Sequence, residues 1–175
     1  MVWVSSWGGD GIMTNIRRTL QAAAGAGGLT TVVAFALDGS PRVAVYEWEV
    51  GVGYGTRYSD PGTLPTGDAN GISFSPNGEY LAVFHGTSPY ISVYPWDSET
   101  GYGTKVADPS SLPPGTSEDG DWSPDGNYIG VCNSTSPFVK VYNWTGSGFG
   151  TVVSAPGYTP NTTNVQGMKW NPAGT

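Results

Sequence analysis

The sequence predicts an all-β chain, a β-propeller-like array of four-stranded antiparallel blades. Three observations lead there. A block of about 48 residues recurs almost three times, each block divides into four short strand candidates, and those strands are apolar on both faces.

The block is anchored on three landmarks. The first is a Val-x-Val-Tyr-x-Trp pattern at residues 43–48, repeated at 91–96 and 139–144, which sets Tyr46, Tyr94 and Tyr142 at one phase and Trp48, Trp96 and Trp144 at another. The second is Gly-aromatic-Gly-Thr at 53–56, 101–104 and 148–151, carrying Tyr54, Tyr102 and Phe149. The third is aromatic-Ser-Pro-Asn/Asp-Gly, beginning at Phe74 and Trp122 and decayed at Trp170-Asn171-Pro172-Ala173-Gly174. A further Ser-Pro pair falls at Ser40, Ser88 and Ser136. An aromatic held at one strand phase fills one layer of a repeating core, so Tyr46, Trp48, Tyr94, Trp96, Tyr142 and Trp144, with Phe74, Trp122 and Trp170, are the expected structural core.

In the central copy, strand a is expected at residues 71–75. Pro76-Asn77-Gly78 then makes a tight turn, because Pro supplies a fixed φ and Gly accepts a positive one. Strand b follows at 80–85, a turn at 86–89, and strand c at 90–96. Gly101-Tyr102-Gly103 leads into a short strand d near 104–107, and a Pro-rich loop over 108–120 opens the next unit. In strand c, Ile91 and Val93 point one way while Tyr94 and Trp96 point the other; in strand b, Leu81 and Val83 oppose Tyr80, Ala82 and Phe84. A sheet with one wet face alternates apolar with polar residues, whereas a sheet stacked between two others is apolar on both sides. Radially stacked blades satisfy that requirement.

The chain enters the repeat at strand b (30–37) and leaves it at strand a (166–171), giving repeats at about 30–70, 71–119 and 120–166 with a partial copy at 167–175. Propellers close with about four blades or more. Either this sequence is part of a longer chain, or its ends meet another protein, or several copies complete a ring together. Two copies would make six blades, the final strand a of one completing the first b-c-d sheet of the other, and an uncovered strand edge invites such pairing.

Residues 1–29 stand outside the repeat. Residues 15–24 have an Asn cap, good helix formers and Gly25 as a stop, which predicts a short helix with Ile16 and Leu20 on one face. One turn of apolar face needs a docking partner to persist. Trp3, Trp7, Ile16, Arg17, Arg18 and Leu20 are therefore the expected partner-binding residues of this leader.

A net charge of −7 with only seven Lys and Arg argues against nucleic acid as a partner, since tracking phosphates needs a concentrated basic face. The first residues have neither a basic n-region nor a long apolar run, so no signal peptide or membrane span is expected. A single Cys132 allows no internal disulfide. Twenty-seven glycines and fourteen prolines recur at fixed phases, as turn chemistry does.

Catalytic signatures are sparse. His85 is the one histidine, and Asn133 stands in its place in the next repeat, the mark of a polar strand-end position rather than a base. Glu118, Asp119, Asp121 and Asp125 form the acidic cluster, without calcium-loop spacing. There is no nucleophile elbow and no phosphate-loop lysine, so no metal, cofactor or catalytic residue is assigned. Tyr54, Tyr102 and Phe149, placed in turns, are the candidates for ligand contact.

The Ser-Pro-Asn/Asp-Gly-x-Tyr-Leu/Ile-x-Val stretches at Ser75 and Ser123 resemble the blade motif of TolB-type, WD-repeat-like propellers, over roughly residues 30–174. The Gly-His dipeptide and recurrent Trp-Asp of the WD pattern are missing, and the His-Asp network of that family does not carry over. The stretch 16–25 is similar to N-terminal leaders of modular virion proteins in marine tailed bacteriophages. That resemblance implies a non-enzymatic virion component, a tail, fibre or capsid appendage, attached by its leader to other protein subunits and presenting the propeller outward. The alternatives are a soluble protein-interaction or glycan-binding module that contacts a host surface glycan, and a propeller hydrolase.

Overall fold

The computed structural model describes residues 31–154 and 164–171, which form three antiparallel sheets. The expected leader helix, the boundary at residue 29, and Trp3, Trp7, Ile16, Arg17, Arg18 and Leu20 lie outside the described residues. The first sheet is a meander of β1 (Thr31–Ala36), β2 (Val43–Glu49) and β3 (Gly53–Arg57). The second contains β4 (Ala69–Phe74), β5 (Tyr80–His85), β6 (Ile91–Asp97) and β7 (Gly101–Tyr102). The third contains β8 (Ser117–Trp122), β9 (Tyr128–Asn133), β10 (Val139–Trp144) and β11 (Phe149–Val152). Strand order follows chain order in every sheet, so each 48-residue block is one blade-like unit.

The recurring motifs make recurring turns. Ser75 accepts the Gly78 N–H at its carbonyl (2.9 Å), its Oγ accepts the Tyr80 N–H (2.9 Å), and it donates to Asn77 Oδ1 (2.7 Å). Ser123 repeats these contacts with Gly126, Tyr128 and Asp125. Gly78 and Gly126 have φ near +75° and +71°, a region a side chain disfavours, and this accounts for the recurring glycine of the motif. The Ser-Pro turns between strands b and c are equally regular. All three Ser-Pro bonds are cis, and Arg42, Tyr90 and Phe138 after them have positive φ and donate their N–H to Gly39, Thr87 and Thr135 at 2.8 Å.

Both faces of the central sheet are packed, as the alternation predicts. Ile72, Phe74, Leu81, Val83, Tyr94 and Trp96 meet Val32, Ala34, Ala36, Val43 and Val45 of the first sheet. Its opposite face, Ala82, Phe84, Ile91 and Val93, meets Trp122, Ile129, Val131, Tyr142 and Trp144 of the third. The stacking is therefore directional. In the second and third sheets the Tyr/Trp face packs on the opposite face of the sheet before it.

Three expectations need correction. Strand a of the central unit spans Ala69–Phe74 rather than 71–75, with a register shift between Ala69 and Gly71, and Ser75 is taken by the turn. Strand d is not at 104–107. Gly101, at φ +84°, reverses the chain at once, so pairing with β6 begins at Gly101–Tyr102, and Val106 keeps only a backbone bond to Val93 (2.8 Å). Residues 166–171 are not a strand; they occupy the place of a strand a, but the described residues contain no strand b beside them.

Candidate functional site

The Tyr/Trp phase distinguishes the first sheet from the others. In the second and third sheets Trp96 and Trp144 are 6% and 9% exposed, and Tyr94 and Tyr142 are fully buried, each with its hydroxyl donating to a loop carbonyl at 2.8 Å, Thr63 and Ser111 respectively. Trp96 is held by Tyr58, Phe74 and Tyr102, and Trp144 by Tyr80, Trp122 and Phe149, at ring separations of 4.9–5.6 Å. The first sheet has no described sheet before it. Trp48 is accordingly 38% exposed and Tyr46 half-buried, so the expectation that they are core holds for their counterparts but not for them.

The consequence is a cluster of four aromatics on one face. Tyr54 lies 5.2 Å from Trp48 and 5.9 Å from both Tyr46 and Phe35, and Phe35 is 6.0 Å from Tyr46. Of the three turn aromatics expected to contact ligand, the structure leaves only Tyr54 open, at 58% exposure. Tyr102 packs on Trp96 and Tyr94, and Phe149 on Trp144 and Tyr142, so both serve their own sheets. Phe35 does not stand out in the sequence. Its equivalents are Val83 and Val131, and the replacement of a core valine by phenylalanine in the first copy alone is the signal that would have found it.

A second feature is a cleft of about 590 Å³ between the second and third sheets. The two Ser-Pro turns form its walls, with Asn77 and Glu79 on one side and Asp125 and Asn127 on the other; Trp122 and Trp144 reach it from the core. Tyr80 spans it, donating its hydroxyl to the Gly146 carbonyl at 2.7 Å. Asp125 is engaged by Ser123 and Asn127, and these bonds hold its carboxyl below the usual range.

The residues that could support chemistry are placed structurally. His85 is fully buried and shares a 3.0 Å hydrogen bond with Ser92 through Nε2; burial pushes its pKa down to about 4, which keeps the ring neutral at pH 7. Asn133 fills the same station in the third sheet, where its Oδ1 accepts from the Thr135 N–H. The acidic cluster is dispersed. Glu118 accepts from Asn164, Asp121 accepts from Ser73 at 2.8 Å and faces Lys169, and Asp119 lies between the backbones of Gly71 and Gly167, where burial raises its pKa. No group of three His, Cys, Asp or Glu converges on a metal position among the described residues. Cys132 is fully buried, and burial raises its thiol pKa to about 11. No helix among the described residues is long and apolar enough to cross a membrane.

Residues 164–171 carry the most informative contacts. Trp170 donates its indole N–H to the Asp121 carbonyl at 3.2 Å, as Trp122 does to Ser73 one repeat earlier. Met168 lies against Gly130 and Trp170 stacks near Tyr128 at 6.3 Å, on the face of the third sheet that points away from the second.

Comparison with known proteins shows a likeness of fold. No family model matches the chain, and no curated protein matches it. Among solved structures, hydrazine synthase from Kuenenia stuttgartiensis is similar, with a TM-score of 0.51 and 13% identity over 89% of this chain. The chain spans 41% of the length of that structure.

Proposed function

We propose that this chain is a non-enzymatic structural and binding protein built of TolB-type, WD-repeat-like blades, and that it serves as a virion component of a tailed bacteriophage. In this reading residues 1–29 attach it to other virion proteins and the blade array faces outward. The observation that carries the binding role is the Phe35–Tyr46–Trp48–Tyr54 face. Its counterparts in the other sheets are sealed between blades, while this one leaves Trp48 and Tyr54 exposed. An open aromatic patch of this kind marks a contact surface. His85, Cys132 and the acidic residues support a non-catalytic reading, because each is engaged in holding a turn, a strand end or a blade contact.

Quantitative mass spectrometry of purified phage particles tests the assignment. The chain is expected at a fixed stoichiometry, lost when residues 1–29 are deleted; particles that lack it would overturn the virion role. A second reading, glycan recognition, is favoured by the cleft between the Ser-Pro turns, where Asn77, Glu79 and Asn127 offer hydrogen-bonding groups beside aromatic rings. Binding on a glycan array that disappears in Asn127→Ala would establish it.

A further inference from the structure

The two ends of the described array are complementary. At one end β1 is the edge strand of its sheet among the described residues, and beside it lies the open Tyr/Trp face. At the other, residues 164–171 sit at the station of a strand a on the outer face of the third sheet, fixed by the Trp170–Asp121 bond, with no strand b described alongside. We infer that these ends meet between two copies of this chain: residues 164–171 of one pair with β1 of the other, and the open aromatic face of the second copy packs on the third sheet of the first.

The repeat supplies the register. In the second sheet Ile72 pairs with Val83, Ser73 with Ala82 and Phe74 with Leu81, and in the third Gly120 pairs with Val131, Asp121 with Gly130 and Trp122 with Ile129. Advancing strand a by one repeat and returning strand b to the first copy pairs Met168 with Phe35, Lys169 with Ala34 and Trp170 with Val33. Met168 already faces Gly130, so this register turns Phe35 and its aromatic neighbours toward the same sheet. That is the directional packing found twice within the chain.

Residues 1–30 are the competing occupant. The aromatic that ends each strand a, Phe74, Trp122 and Trp170, has Ala26 at the corresponding position there, so that stretch lacks the ring common to the others and the indole N–H that Trp122 and Trp170 add. The contact joins different patches on the two copies, and such head-to-tail contacts form a ring when the rotation closes. Two copies bring six sheets, within the usual propeller range of about four to eight. The inference rests on reading the aromatic face as a contact surface, and does not require the virion role.

The test uses the full wild-type chain. Light scattering across a concentration series is expected to show a particle of twice 18.3 kDa. Hydrogen exchange is expected to slow the β1 amides by at least about tenfold as the dimer forms. In a Cys132→Ala background, which places at 132 the residue found at the equivalent position 36, Phe35→Cys with Met168→Cys should give a covalent dimer on oxidation. A monomer with protected β1 amides would overturn the inference in favour of residues 1–30. A monomer with unprotected β1, or a dimer whose β1 exchange is unchanged, would overturn it as well. If the monomer nonetheless binds virion proteins through Trp48 and Tyr54, the contact-surface reading survives and only the second copy is rejected.

Discussion

Trp170 bonds to Asp121 through the same indole N–H, to the same kind of strand carbonyl and at the same 3.2 Å as Trp122 bonds to Ser73. One contact thus recurs where the repeat is intact and where its motif has decayed to Trp-Asn-Pro-Ala-Gly. At these two stations the indole bond recurs whether or not the Ser-Pro motif follows it; strand a of the second sheet ends in Phe74 and is placed without one.

Replacing Trp170 by Phe keeps a ring but removes the donor. The expected loss is about 1 kcal/mol, the net worth of such a bond, confined to residues 164–171. Hydrogen exchange should quicken in that segment while the global denaturant midpoint stays in place. Trp122→Phe, by contrast, should lower the global midpoint, because Trp122 is buried between two sheets.

Trp96 and Trp48 occupy one phase in different environments. Trp96→Ala should cost about 3–5 kcal/mol through the cavity it leaves. Trp48→Ala should cost under about 1 kcal/mol at concentrations that keep the chain monomeric, and its main effect should be on association. Chemical denaturation at low concentration, paired with light scattering at high concentration, separates the two.

His85 makes the fold sensitive to acid. Its folded pKa of about 4 lies below the ordinary 6.5, so the unfolded chain binds the extra proton between those values. The stabilisation is complete above about pH 6.5 and is lost as pH falls toward 4, by up to roughly 3 kcal/mol. His85→Asn, a residue already accepted at position 133, should flatten this acid limb in a denaturant titration at pH 4–7.

Gly120 stands where the neighbouring repeat has Ile72. A Cβ there would lie 2.3 Å from the Phe84 ring and 2.4 Å from the Gly130 carbonyl, and the carbonyl belongs to a paired strand that cannot move aside. Gly120→Ala should therefore destabilise by about 1–3 kcal/mol or more. Gly62→Ala, with nothing within 4 Å, should stay within about 0.5 kcal/mol in the same thermal melts.

The repeat, the all-β class, the turns and the facing of the strands follow from the amino-acid sequence alone. These are local matters: Ser-Pro-Asn-Gly makes its own turn, and period-2 alternation sorts Ile91 and Val93 from Tyr94 and Trp96 wherever the strand is placed. The spacing also marks His85 and Asn133 as one strand-end station. What equivalent residues become depends on how the sheets assemble. Trp48 and Trp96 share a motif and differ in exposure because burial depends on the neighbouring sheet, and a repeat does not record which copy lacks one. The same non-local dependence keeps Tyr102 and Phe149 packed while Tyr54 stays open, and leaves residues 166–171 at a strand's station without a strand's pairing, since a β-strand exists only beside another.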